Sequence, residues 1–318
     1  MTPTWNAAET IAETIASVAA QNWREFEMIV VDDGSTDATP MLLAQHARRH
    51  PWISWCIQAN AGPSAARNLA IAMARGEFIA FLDADDVWAP NKLSLQVAAF
   101  ERNPGAAFVY TDQRDFWPDH ERRVTLFQQK QPARGNILRA LFERGNFILT
   151  STAMVRKSAL QAMNGFDPGR RINEDVDLWF RMAERYEFDY VPEVLVRRRM
   201  LPNSLMHSNT INVWRSDLEL IDRWVQRRPD LFPPDSPWVH YRRALTWSRL
   251  ANQHLHRRAF AESRHAFLQA MRHGRFDPRT LARGLAACAP LAADLYWATK
   301  TACTRMLRGE GGALAQRV

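Results

Sequence analysis

Glu77-Phe78-Ile79-Ala80-Phe81-Leu82-Asp83-Ala84-Asp85-Asp86 decides how the chain is read. A short apolar run of strand length stops at three carboxylates. That is how a buried parallel strand ends when it delivers acids to a cleft. In open α/β sheets the ligand crevice lies beyond the carboxyl ends of the strands. Asp83 and Asp85, one residue apart, can hold a divalent cation and a ribose, because hard cations take several oxygen ligands. Alone, the same residues also fit an ordinary acidic turn. Their meaning depends on what surrounds them.

The surroundings alternate. Upstream, Phe26-Glu27-Met28-Ile29-Val30-Val31 is another buried-strand run, ending in Asp32-Asp33-Gly34-Ser35. A helix follows over residues 37–50, then a strand over 52–58, then a helix opened by Gly62-Pro63. Downstream, a helix starts near Pro90 and a strand covers 108–111. Short β and α segments in turn predict a mostly parallel α/β sheet with flanking helices. Residues 112–135 read as a long irregular loop, 135–144 as a helix, 151–155 as a strand, and Asn173 opens another helix. An edge strand is expected over 194–200, where Arg197, Arg198 and Arg199 either contact phosphate or discourage aggregation, the latter reading being preferred for two of the three. At the front, Asn6 reads as the N-cap of a helix with Ile11, Ile15 and Val18 on one face, with no room for a strand before it.

Composition agrees with a soluble globular chain: 318 residues, 47% apolar and 24% charged. The net charge of +7 is uneven, −2 over residues 1–205 and +9 over 206–318. Helical patterns dominate the basic part, over 208–228, 238–254, 258–273 and 277–308. The expected division is therefore 1–205 and 206–318. Three cysteines without metal spacing fit a reducing cytosol. No apolar run approaches the ~20 residues of a spanning helix. Helix 277–308 sets Leu281, Leu285, Leu291 and Trp297 beside Arg279, Arg283 and Lys300, which suits peripheral contact with an anionic membrane. No nucleic acid is expected, because the basic charge lies away from the acidic cleft and no recognition motif is present.

Five signals stand in one order. Pro3-Thr4-Trp5-Asn6 resembles the P-T-Y-N entry of family 2 inverting glycosyltransferases, with Trp for Tyr. Val31-Asp32-Asp33-Gly34-Ser35-x-Asp37 is similar to their V-D-D-G-S-x-D turn, and Asn60-x-Gly62-x-Ser64-x-Ala66-Arg67-Asn68 to their N-x-G-x-x-x-A-R-N helix start. Phe81-Leu82-Asp83-Ala84-Asp85-Asp86 resembles their F-L-D-x-D-D metal site. Gly165-Phe166-Asp167 with Glu174-Asp175-x-Asp177-Leu178-Trp179 resembles the acceptor-side G-F-D and E-D-x-D-L-W pair.

The resemblance implies a GT-A fold over residues 1–205, a nucleoside-diphosphate sugar donor and a divalent metal, manganese or magnesium. Pro3, Trp5, Asn6, Asp33, Arg67 and Asp83 would bind the sugar nucleotide. In that scheme Trp5 stacks on the base, Asp33 accepts a base N–H, Arg67 meets phosphate oxygens and Asp83 holds the ribose. Asp85 would hold the metal. Asp175 would be the catalytic base, with Glu174 orienting it or touching the acceptor, a saccharide or lipid-linked saccharide of bacterial surface-polysaccharide or glycolipid synthesis. The Q-x-x-R-W signature of processive synthases is absent, which implies addition of single sugars. The family carries a strand just before P-T-Y-N, so the sheet is expected to lack its first strand and the natural start to lie upstream. The alternative is an inactive relative that binds a partner or a membrane.

Overall fold

The computed structural model describes residues 1–201 and 210–274, with Gly284, Leu285 and Ala287. The chain divides into two compact units, Met1–Ser204 and Leu205–Val318. The helix expected over 277–308, and its membrane contact, lie outside the described residues except at Gly284, Leu285 and Ala287. Among the described residues no helix is long and apolar enough to cross a membrane.

The first unit begins with a three-stranded parallel sheet. Its strands are β1 (Thr2–Thr4), β2 (Met28–Asp32) and β3 (Ile53–Ile57), with Thr4 beside Asp32 and Val31 beside Cys56. The expectation that no strand precedes Asn6 is corrected. Three residues are too few to display a periodicity, yet their backbone pairs with β2, and Met1 just before them bonds to the other flank. Asp33 N donates to Thr4 O at 2.8 Å, and on the other side Met1 N donates to Ala80 O at 2.7 Å and Leu82 N to Met1 O at 3.0 Å. These bonds place β1 between β2 and the apolar run that ends at Asp83. The sheet therefore has its first strand, and backbone groups that would otherwise be orphaned are satisfied.

A five-stranded mixed sheet continues the layer. It comprises β4 (Phe78–Ala80), β5 (Val87–Trp88), β6 (Ala106–Phe116), β7 (Met154–Arg156) and β8 (Glu187–Arg199), in the order β4-β7-β6-β8-β5. Two expectations change here. Residues 112–135 are only partly irregular, because β6 runs to Phe116 and a short helix α5 (Leu126–Gln129) carries a Thr125/Gln128 capping box. The late strand is not an edge over 194–200. It starts at Glu187, runs parallel to β6 and is flanked on the far side by β5. Its arginines lack the look of a paired strand because each is matched to an acid on a distant segment: Arg197 to Glu121, Arg198 to Asp115 and Arg199 to Glu13.

Helices α1 (Ile11–Ala19), α2 (Thr39–Arg49), α3 (Pro63–Met73) and α4 (Lys92–Arg102) cover the sheets, with α6 (Leu138–Arg144), α7 (Lys157–Ala162) and α8 (Glu174–Ala183) after them. Ile11, Ile15 and Val18 of α1 pack with Val30, Leu43, Leu82 and Phe100 in one core. Each such side chain contributes about 1.5–3 kcal/mol by leaving water. The first helix starts five residues later than Asn6, which is not its cap. Asn6 sits at φ 48°, a left-handed conformation that Asn tolerates, and its Oδ1 accepts from Thr36 N at 2.8 Å.

The second unit has three described helices, α9 (Thr210–Arg227), α10 (Pro237–His256) and α11 (Phe260–Arg272), and α10 packs against the other two. Buried alanines Ala244, Ala251, Ala266 and Ala270 let these helices approach closely. A buried polar set pins α9 to α10: Arg242 donates to Asp217 at 2.7 Å and to Thr246 at 2.7 Å, and Thr246 donates to Asp217 at 2.9 Å.

Candidate active site

Three of the sequence signals meet in one aromatic cluster. Phe81 packs edge-on against Phe166 at 5.5 Å and against Trp179 at 5.8 Å. Trp179 in turn meets Phe108 at 4.7 Å. The residue two before Asp83, the Phe of Gly165-Phe166-Asp167 and the Trp that follows Glu174-Asp175 are thus one packed body. Rigid apolar packing of this kind sets the spacing of the acids that project from it.

Asn68 joins that body to α3. Its Nδ2 donates to Phe166 O and its Oδ1 accepts from Phe166 N, both at 2.8 Å, as a neighbouring strand would. The turn must carry glycine at 165: φ is +63°, and a Cβ there would lie 2.4 Å from Asn68 Oδ1. Asn68→Ala leaves both Phe166 groups without a partner and should cost about 1–3 kcal/mol in a urea melt.

Arg67 stands next to Asn68 in the first turns of α3. It was expected at donor phosphates. In the structure its Nη2 donates to Asp83 at 2.8 Å and its Nη1 to Glu174 at 2.7 Å, with the guanidinium 5.3 Å from the Phe166 ring. The two carboxylates hold this buried arginine charged and push its proton affinity further up. Arg67 therefore ties the cleft acid Asp83 to the acid beside Asp175.

The turn Thr150–Thr152, a single 3₁₀ turn ahead of β7, which starts three residues later than the strand expected over 151–155, makes a second tie. Thr150 Oγ1 donates to Asp175 Oδ2 at 2.9 Å, while Ser151 Oγ donates to Asp86 Oδ2 and accepts from Asp83 N at 3.1 Å. Hydroxyls of α1 hold the other side of the acidic turn: Thr10 and Thr14 donate to Ala84 O at 2.9 and 3.0 Å, and Thr14 also to Asp86 O at 2.9 Å. Arg199 closes it through Asp85 O at 3.0 Å. None of Thr10, Thr14, Thr150 or Ser151 was singled out for the site, whereas Arg199 belongs to the arginine run considered for phosphate contact. Isolated hydroxyls carry no recognisable spacing, so only the fold reveals them.

The acids differ in state. Asp86 is 2% exposed, and burial beside Asp85 and Asp83 raises its pKa well above the usual carboxylate range. Burial, then Asp83, pushes Asp85 up to about 6. Its carboxylate takes no side-chain hydrogen bond among the described residues. Asp175 also rises to about 6, through burial and then the charge of Glu174, against the opposing pull of Arg67.

The remaining residues lie along β1 and β2. Trp5 is 55% exposed, so its indole face is open to a ring. Pro3, within β1, is half-buried. Asp33, 5% exposed, accepts from Gln58 Nε2, Ala61 N and Gly62 N at 2.7–2.8 Å. A carboxylate has about four lone-pair sites, so one is left for a base N–H. Its neighbour Asp32 binds Ser35 through Oδ1, while Oδ2 is buried with no partner, as are Thr2 Oγ1 and Thr4 Oγ1.

Comparison with known proteins bears on the family and the fold. The E. coli chondroitin synthase is 25% identical over 219 residues, 68% of this chain and 30% of that protein. TuaG of Bacillus subtilis (strain 168), provisionally named a teichuronic acid biosynthesis glycosyltransferase, is 39% identical over 112 residues, 35% of this chain and 44% of its own. The chain thus spans less than half the length of either relative. The mannosyltransferase PcManGT of Pyrobaculum calidifontis, solved with GDP-Man and Mn2+, superposes with a TM-score of 0.58 at 21% identity, over 92% of this chain and 84% of that one. That likeness establishes the GT-A fold. The model of the family described as "Glycosyl transferase family 2" matches residues 1–163, which takes in the turn of Asp33, the Arg67 helix, the acidic turn of Asp83 and Asp85, and the Thr150–Thr152 tie: the chain belongs to that family.

Proposed function

We infer that the chain transfers a sugar from a nucleoside-diphosphate sugar to an acceptor hydroxyl, with inversion at the anomeric carbon. The observation that carries this reading is the arrangement around Asp175. Its half-buried carboxyl has a pKa of about 6, is aimed by Thr150, and is linked through Glu174 and Arg67 to Asp83. A general base works best with a pKa near the operating pH. Asp175 takes the acceptor hydroxyl proton as that oxygen attacks the anomeric carbon. The bond from that carbon to the phosphate oxygen breaks on the opposite face, and the nucleoside diphosphate leaves. Trp5 stacks on the base and the free lone pair of Asp33 accepts its N–H. Arg67 acts here as a positioning residue for Asp83 and Glu174.

A divalent cation fits the free Asp85 carboxylate. Among the described residues no three His, Cys, Asp or Glu side chains form a full metal cage. Magnesium-type sites need only one or two carboxylates, the rest of the shell coming from substrate phosphates and water. When bound, such an ion neutralises charge on the leaving diphosphate. The relatives' names, a chondroitin synthase and a teichuronic acid biosynthesis glycosyltransferase, support a role in bacterial polysaccharide synthesis.

The test is release of nucleoside diphosphate from UDP-, GDP- and dTDP-sugars with Mn2+, Mg2+ or chelator. Turnover with metal that falls at least about 100-fold with chelator or in Asp85→Asn is expected, since the cation supplies several kcal/mol of charge stabilisation. No turnover, together with no calorimetric binding of any nucleotide, would defeat the enzyme reading in favour of a partner-binding relative.

A further inference from the structure

The helical unit holds a cavity of about 580 Å³ between α9, α10 and α11. That size lies within the ~300–1,000 Å³ of small-molecule sites. No residue assigned above lines it. Its floor is apolar, formed by Leu218, Leu250 and Ala266. Its walls are Arg215 and Glu219 of α9, Trp247 and His254 of α10, and Glu262 and His265 of α11.

The walls carry unspent hydrogen-bonding capacity. His254 is only 6% exposed, yet neither ring nitrogen has a hydrogen-bond partner among the described residues. The residue is buried, but its ring nitrogens are not among the buried unpartnered atoms, so they open to the cavity rather than into the core. Burial, then Arg215, keeps this imidazole below its ordinary pKa against the pull of Glu262, so it offers one donor and one acceptor. Arg215, Glu219 and Glu262 are exposed at the rim and have no side-chain hydrogen bond or ion pair among the described residues, so a ligand there competes only with water for them. Trp247 and His265 meet at 6.0 Å with their planes at 77°, forming an aromatic corner.

Charge narrows the ligand. Asp222 also lines the cavity and is already paired with Arg243 at 2.8 Å. The open charges are then two carboxylates against one guanidinium, although residues 206–318 carry a net +9. A phosphate, a nucleotide or an anionic lipid headgroup would be repelled by Glu219 and Glu262. A neutral polyhydroxylated ring has what the cavity lacks: hydroxyls that both donate and accept, and a C–H face that packs on an indole.

We propose that this cavity is a saccharide-binding site, taking a non-reacting sugar unit of the acceptor against Trp247, with hydroxyls bonded to His254, Glu219, Glu262 and Arg215. The proposal rests on the glycosyl-transfer reading. It assigns acceptor recognition to the helical unit, separately from the residues that handle the donor.

The full chain should be screened on an array of bacterial capsular oligosaccharides and neutral glucan oligomers, and the strongest glycan titrated calorimetrically. Trp247→Ala and Glu262→Gln should each weaken that glycan about tenfold or more, a loss of about 1.4 kcal/mol. Trp247→Phe should retain most of the affinity, and acceptor-independent donor turnover should be unchanged in all three. Glu262 is exposed, so its variant folds even where Trp247→Ala does not. No glycan retained by the wild type, or variants that bind as tightly as the wild type, overturns the proposal. So does loss of UDP binding in Trp247→Ala, which would make the cavity a nucleotide site. Intact donor turnover with no glycan bound fails this proposal alone; glycan binding without donor turnover fails only the catalytic reading.

Discussion

Asp175→Asn should lower kcat for sugar transfer by about 10²–10⁴-fold while leaving the donor KM nearly unchanged, since that is what a positioned general base contributes. Asparagine keeps the size of the side chain and can still accept from Thr150 Oγ1, so the cleft keeps its shape. What it cannot do is take a proton. The pH profile adds a signature that lost packing would not produce. With Asp175 titrating at about 6, wild-type kcat/KM should fall about tenfold per unit below that pH, and the residual rate of the variant should not follow this limb. The same group has a consequence for folding. Its carboxyl holds its proton to a higher pH folded, about 6, than unfolded, about 3.9. The folded chain binds more protons in between, so the stabilisation present below the unfolded value is lost as pH rises through the folded one. A series of urea melts across pH 4–7 would register this as a falling midpoint. A steady or rising midpoint would mean that other groups outweigh it.

Arg67→Met should cost about 3–5 kcal/mol of stability, the usual effect of breaking a buried ion pair from one side. Two carboxylates lose their common cation at once, Asp83 and Glu174. The effect should also reach catalysis. Arg67 is the charge that holds the proton affinity of Asp175 down against burial and Glu174. Without it the acid limb of kcat/KM should move to higher pH, whereas a purely structural role would lower the plateau and leave the limb in place. Arg67→Lys keeps the charge but not the fork that spans two acids. It should restore the position of the limb while recovering only part of the stability. If Arg67→Met leaves both the urea midpoint and the limb unchanged, the tie between the donor side and the base is not energetically real.

Much of this was legible before any coordinates. The runs leading to Asp33 and Asp83 hold the strands Met28–Asp32 and Phe78–Ala80, the second stopping three residues short of its acid, and the order of five short motifs pointed to GT-A. Local chemistry determined these features, since each lies within a few consecutive residues. Three kinds of feature were not legible. The first was β1: Thr2–Thr4 is too short to carry a period, and pairing with Asp33, Ala80 and Leu82, from segments distant in sequence, makes it a strand. The second was what Arg67 does. Its place at a helix start suited a phosphate, with a salt bridge to Asp83 or Asp33 as the other reading, and only the packing that brings Asp83 and Glu174, 16 and 107 residues away, to the same point shows that it joins the two. The third was the support beneath the acids, where Thr10, Thr14, Thr150 and Ser151 act through single hydroxyls. A hydroxyl has no spacing to recognise, and its partner is chosen when separate segments pack. The sequence by itself determined which acids follow the strand runs and how the chain alternates. Only the tertiary structure decided which of those acids are paired, which are free and which stay protonated near pH 6, because burial and neighbouring charge belong to the packed state alone.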